Sequence, residues 1–494
     1  LATDANALCL VAFPGAKIPI ESHAQIELLE SIYTMLRNFV FLLCVTFVSN
    51  VFAQDSLNMI RLARWDDDTL PVASPGSLRV QYSGCWGLAV NGQEYAILGG
   101  ARHVLIFNIT NPVEPELVGK FEGKTNTVWR EFKSYKNRIY GVSDATTEGM
   151  MIFDFSNAPD TIVRTYYSNA LFNSAHTITL DTVSGRIYLN GTNVANQGLL
   201  VLDVSQNPDQ PAFLASFPLI GGYIHDSYVR NDTVYASSGF NGYYVYDYTD
   251  PNNPPVTVAS LPTTGGYHHN SWLSKDGRYA YCTEEIPSGR PVLIVDLQDI
   301  ANENIAVASS FLDPALPPGA ENAIPHNVYI RDSLLFNSQY EDGLLVYNIS
   351  DPTAPKLIAY YDTHPENTQY NTYYGCWGNY PWLPSGTIIA GDMQNGLQLL
   401  KLTTTTSAYM PVAAPVIRAF PNPVADFLCV QLTNPQEINS CRLLNSSGQI
   451  LTEQNWPAGA SEIRIAVDHF PPGVYLVEVR AKNGSSATSK VTVM

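Results

Sequence analysis

Two adjacent histidines and two adjacent glutamates bracket one hairpin-like run, "YHHNSWLSKDGRYAYCTEE", at residues 267–285. Neutral imidazole with carboxylate suits zinc, iron or manganese where ring nitrogens converge to about 2.0–2.2 Å from the ion. The same groups serve as acid and base, because His titrates near neutrality. They also tie down turns by local hydrogen bonding, with no ligand involved. His269 has counterparts: His176, His225 and His326 open similar runs, "HTITLDTVSGRIYLNG", "HDSYVRNDTVYASSG" and "HNVYIRDSLLFNSQ". Trp86, Trp129 and Trp377 open three more. What these residues do depends on the elements that position them.

Those elements are copies of one unit. The run "VLIFNITNPVEPELVGKF" at Val104 returns at Met150, Leu199, Tyr243, Val292 and Leu344, and in shortened form at Leu397. Each copy reads as a buried apolar strand, an Asp/Asn–Pro turn and an outer strand, since Pro and Asn set a turn that a central strand excludes. The His- or Trp-led runs supply two more strands upstream. Their starts at 86, 129, 176, 225, 269, 326 and 377 lie 43 to 57 residues apart. Four strands at that spacing predict a seven-bladed β-propeller over residues 54–403, in which stacked sheets bury the faces that one sheet would expose. The seventh unit ends after three strands, so "IRLARWDDD" at 60–68 is expected to supply its outer strand and remove an exposed edge.

In an antiparallel hairpin the start of the first strand meets the end of the second. His176, His225, His269, His326, Glu284 and Glu285, with Trp86, Trp129 and Trp377, are therefore expected at one channel mouth as a ligand site. His225, His269 and Glu284 are the candidate ligands for a divalent metal ion. The competing reading makes the His row structural, because Trp replaces it in three units and Asp226, Asn270 and Asn327 suit turn bonding. No catalytic residue is assigned. Neither a GxSxG elbow nor a His-Glu-x-x-His helix occurs, so two well-marked hydrolase classes lose support.

Composition bounds the partners. The 494 residues are 45% hydrophobic and 15% charged, and a net charge of −18 argues against nucleic acid or an anionic membrane. From Met35, "MLRNFVFLLCVTFVSNVFAQ" reads as a secretory signal peptide over 35–53, its apolar run too short to span a bilayer. Residues 1–34 are then expected to be untranslated upstream sequence, or else an unusually long n-region. Five scattered cysteines beyond the signal peptide make no disulfide framework. Cys85 and Cys376 share the motif "GCWG", and whether they pair stays open. After Leu402 a Thr/Ala/Pro linker at 404–414 leads to residues 415–494, whose alternating strands and turns predict a small Ig-like β-sandwich.

The runs "LVLDVSQNPDQP" and "LLVYNISDPTAPK" resemble the LVIVD repeat, and the stretch from about 57 to 403 is similar to the choice-of-anchor B family of exported bacterial propellers. The tail resembles the type A C-terminal sorting domain of type IX secretion in Bacteroidota. The residues that carry this likeness are Pro421, Asn422 and Pro423, Gly448 in "NSSGQIL", Gly473 and Tyr475 in "PPGVYLVEV", and Lys490 in the closing strand. The resemblance implies export, engagement with the type IX machinery, and release or attachment at the cell surface. Export, the tail and the lack of a catalytic motif favour a module that binds a protein, glycan or envelope ligand. The alternative is an exported metal-dependent hydrolase, lyase or oxidoreductase that uses the His-rich mouth.

Overall fold

The repeated apolar runs become the third strands of a series of sheets, buried on both faces as their unbroken hydrophobic character requires. The computed structural model describes residues 56–73, 78–194, 198–263, 265–314, 322–365, 373–403, 417–432, 438–445, 450–457, 459–481 and 486–494. The proposed signal peptide, the segment before it, the 404–414 linker and Gly448 lie outside the described residues. The chain is all-β, with little helix among those residues beyond a 3-10 turn at Ile300–Asn302. No helix there is long and apolar enough to cross a membrane.

Residues 56–402 form seven antiparallel sheets, six of four strands and one of five, consistent with propeller blades. Their innermost strands are Tyr82–Val90, Arg130–Tyr135, Thr177–Asp181, Asp226–Arg230, His268–Leu273, Asn327–Arg331 and Cys376–Tyr380. Each packs on the next in that order, and the last packs on the first. The seventh sheet takes its outer strand from Met59–Trp65, which pairs with Gly396–Leu402. Ser56–Leu57 adds a short fifth strand to the sixth sheet.

Two local features recur because the repeat encodes them. An Asp or Asn in each of the first six third strands, the last residue of the strand in all but the fifth, accepts a hydrogen bond from the backbone N–H two residues on. Asn108 does so at 3.0 Å, Asp154 at 2.7 Å and Asp203 at 2.6 Å. Asp247, Asp296 and Asn348 do the same at 2.8 Å each. This Asx geometry turns the chain toward the outer strand. All seven third-to-fourth strand pairings then carry a register shift, as at Ile106/Phe107 and Val245/Tyr246. A bulge at that place increases the local twist.

The tail folds as two further sheets, of three and four strands, around one core that includes Leu428, Val430, Leu443, Val477 and Val491. Asn422 joins the ends of this unit: its side chain accepts the Thr492 N–H at 2.9 Å and donates to the Lys490 carbonyl at 3.0 Å. The Tyr475 hydroxyl donates to the Pro471 carbonyl at 2.7 Å, and Gly473 opens that strand. These contacts give four residues of the tail motif structural roles. Cys85, Cys282, Cys376, Cys429 and Cys441 are all buried and free.

Candidate functional site

The structure brings His176, His225, His269 and His326 together with Trp129 and Trp377 around one cavity of about 690 Å³. The rings form a continuous row. Centroids are 4.2 Å apart from His176 to His225, 4.1 Å from His225 to His269, and 4.1 Å from His269 to His326. Trp129 closes one end of the row at 6.1 Å from His176, and Trp377 the other at 4.8 Å from His326.

A backbone ladder between sheets holds the row. His225 Nδ1 lies 3.0 Å from the His269 carbonyl, and His269 Nδ1 lies 3.0 Å from the His326 carbonyl. His326 Nδ1 bonds the Trp377 carbonyl in the same way. A carbonyl oxygen only accepts, so each Nδ1 carries the proton and each Nε2 keeps its lone pair. Burial pushes the pKa of all three rings down, that of His326 to about 3, so they stay neutral. His176 differs: its Nδ1 bonds Asp144 at 2.8 Å. Burial acts to raise the Asp144 pKa, but the hydrogen bond and charge of His176 outweigh it and the carboxylate is stabilised.

The paired letters of the opening motif split between two faces, because successive strand residues point opposite ways. His268 pairs with Glu284 in the hairpin, and a bulge follows at His268/Asn270. Glu284 is fully buried and bonded to Arg290 at 2.6 Å, with His268 Nε2 at 3.5 Å. This corrects the expected metal set, since Glu284 faces away from the His row. Glu285 takes its place: its carboxylate lies 3.9 Å from His269 Nε2 and accepts a hydrogen bond from the Tyr340 hydroxyl at 2.9 Å. Burial raises the Glu285 pKa, although the Tyr340 bond works against this.

Trp86 is a second correction. Cys376 pairs with Asp392 at the very end of its hairpin, whereas in the first sheet Tyr82 and Gly100 hold that position and Cys85 lies opposite Leu98. The two "GCWG" motifs therefore sit three residues out of step, and Trp86 lines a different cavity of about 470 Å³. There it packs on Tyr380 at 4.9 Å, Trp382 at 5.8 Å and Tyr329 at 5.9 Å, with the Lys133 ammonium 4.1 Å from its ring. Tyr228, Trp272, Tyr329 and Tyr380 each follow a row residue by three positions on the same inner strand. Aligning Trp86 with those aromatics, rather than with Trp129 and Trp377, would have placed it correctly.

Sequence reasoning also passed over residues of the mouth. Tyr223 and Tyr267 precede His225 and His269 by two positions in "GGYIH" and "GGYHH", a repeat visible in the letters. Tyr267 meets the His225 ring edge-on at 5.3 Å. Glu131 is buried beneath the row and accepts the Trp377 indole N–H at 2.8 Å. Burial raises its pKa. No sequence signal marks that contact, which joins residues 246 apart.

Comparison with known proteins bears on the tail. A search of curated proteins finds no match to this chain. A crystal structure of a protein from Lactobacillus plantarum is similar over 78% of this chain and 99% of that one, at 12% identity and a TM-score of 0.47, too low to carry an argument. Residues 418–494 match the family described as the secretion system C-terminal sorting domain, so the C-terminal unit is a sorting domain and marks the chain for export by type IX secretion.

Proposed function

We propose that this chain is an exported, closed seven-bladed propeller of the LVIVD-repeat, choice-of-anchor B kind, which binds an extracellular protein or glycan at the His-lined mouth. Supporting closure are the cyclic order of the inner strands and the N-terminal strand in the seventh sheet. The tail, in this reading an Ig-like sandwich, hands the chain to the type IX machinery after Sec export through the 35–53 signal peptide. The chain is then released or held at the outer surface of a Bacteroidota cell.

One observation carries the binding assignment. Three neighbouring imidazoles spend one nitrogen on the scaffold and leave the other facing a cavity walled by Tyr223, Tyr267, Tyr340 and Tyr373. Aromatic faces beside convergent polar atoms are what ligand sites are built from. The enzyme reading draws on the same imidazoles and Glu285, but among the described residues no serine or cysteine lines the cavity.

The mature chain should capture glycans or peptides on arrays, and Tyr267→Ala should abolish the signal while the protein stays folded. Capture that survives Tyr267→Ala and Tyr340→Ala together would place the ligand elsewhere. Deleting residues 404–494 should leave the propeller soluble in the periplasm. Normal surface yield of that truncation would remove the sorting role.

A further inference from the structure

We propose that His225 Nε2, His269 Nε2 and the Glu285 carboxylate form a site for one divalent metal ion of the zinc class, open on its fourth side to the mouth cavity. The site deepens the reading of the mouth as a ligand site, because an ion with a free position would meet whatever enters.

The ligand atoms of these three residues lie within 4.8 Å of one another, the only such trio of candidate ligands among the described residues. Ligands of a tetrahedral ion at about 2.0–2.1 Å stand about 3.4 Å apart, so the side chains must draw in by about 1 Å or a little more. The His269–Glu285 edge, at 3.9 Å, is already close to that.

The chemistry of the donors agrees. A metal-binding His commonly donates its other ring N–H to a carbonyl or carboxylate, which fixes the tautomer and ring orientation. His225 and His269 both do this, to carbonyls of the neighbouring sheets. No hydrogen bond engages either Nε2 among the described residues. Glu285 has its own support in the Tyr340 hydroxyl. Two imidazoles and one carboxylate with an open position suit zinc or a neighbouring first-row ion better than calcium or magnesium, which prefer all-oxygen shells.

The purified full mature chain, stripped with a chelator, should bind one Zn²⁺ in calorimetry. Co²⁺ in its place should give visible absorption bands of a low-coordinate nitrogen–oxygen site. Glu285→Gln and His269→Gln should each weaken Zn²⁺ binding by more than about 100-fold. Tyr340→Phe, which removes only the support, should weaken it by about 10-fold. His469→Gln in the tail should change nothing. Circular dichroism of the metal-free variants separates lost ligation from lost fold, and Glu285→Gln, which keeps shape and size, serves if the His variants misfold. Absence of stoichiometric binding to the wild type, or unchanged binding in folded Glu285→Gln, overturns the proposal. Glycan or peptide capture by a wild type that binds no stoichiometric Zn²⁺ would sink the metal site and leave the binding module standing. Metal binding without any capture would do the reverse.

Discussion

The two ends of the inner strands use similar rings for opposite purposes. Around Trp86 the rings satisfy one another: Trp272 meets Tyr329 at 5.0 Å and Trp382 at 5.2 Å, and Tyr380 meets Trp382 at 5.2 Å. Such edge and tilted contacts add to the burial of large apolar surface. Around His269 three rings are bonded to backbone through one nitrogen, and no hydrogen bond engages the second among the described residues. The Trp end spends its side chains on cohesion, while the His end keeps bonding capacity toward the cavity. Stability is therefore expected to concentrate at the first end and ligand chemistry at the second.

Breaking the Trp end should cost most. Trp86→Ala removes a ring only 7% exposed and packed on three other aromatics. It should destabilise the protein by about 3–5 kcal/mol in chemical denaturation. Zn²⁺ affinity of the folded variant should stay within a few-fold of wild type. A loss below about 1 kcal/mol would mean that the cage is not a load-sharing part of the core.

The pH dependence separates the ends more finely. His326 titrates near 3 when folded and near 6.5 when unfolded, so as pH falls below 6.5 the unfolded chain takes its proton first and stability drops. The loss continues until pH nears 3. Glu285 and Glu131, raised by burial, act oppositely, because there the folded state binds protons first. Comparing variants cancels those contributions. His326→Gln should flatten the stability–pH curve between pH 5.5 and 4 by about 1.4 kcal/mol per pH unit, one proton's worth. Lys133→Met at the other end should act on that curve only through Glu131 and Asp226, whose carboxylates its charge favours, and not through the imidazole row.

The smallest effect expected is that same Lys133→Met change in absolute stability. It removes a cation 4.1 Å from the Trp86 ring and should cost about 0.5–1 kcal/mol. A neutral or stabilising result would show that burying a methionine there offsets the lost cation–π contact.

Much of the architecture was legible because it is local and repeated. The Asp/Asn turn after each third strand is a contact over two residues, so its letters recur wherever its geometry does. The His positions were legible for the same reason: each lies within a residue of the start of an inner strand, and strand order brings such positions side by side. Glu284 was misplaced because one bulged residue at His269 decides which of two adjacent glutamates faces the cavity, and alternation allows either. Trp86 was misplaced because identical letters, "GCWG", sit in hairpins of different register.

By itself, the sequence determined that the chain repeats a strand–turn–strand unit, that its tail carries a sorting signature, and that imidazoles recur at one place in consecutive units. Those are properties of spacing and composition. Tertiary structure alone decided which nitrogen of each imidazole is spent and which is left. That choice is made by a carbonyl on the neighbouring sheet 44 to 57 residues away. Only packing the inner strands together sets that distance, and no pattern within one unit encodes it.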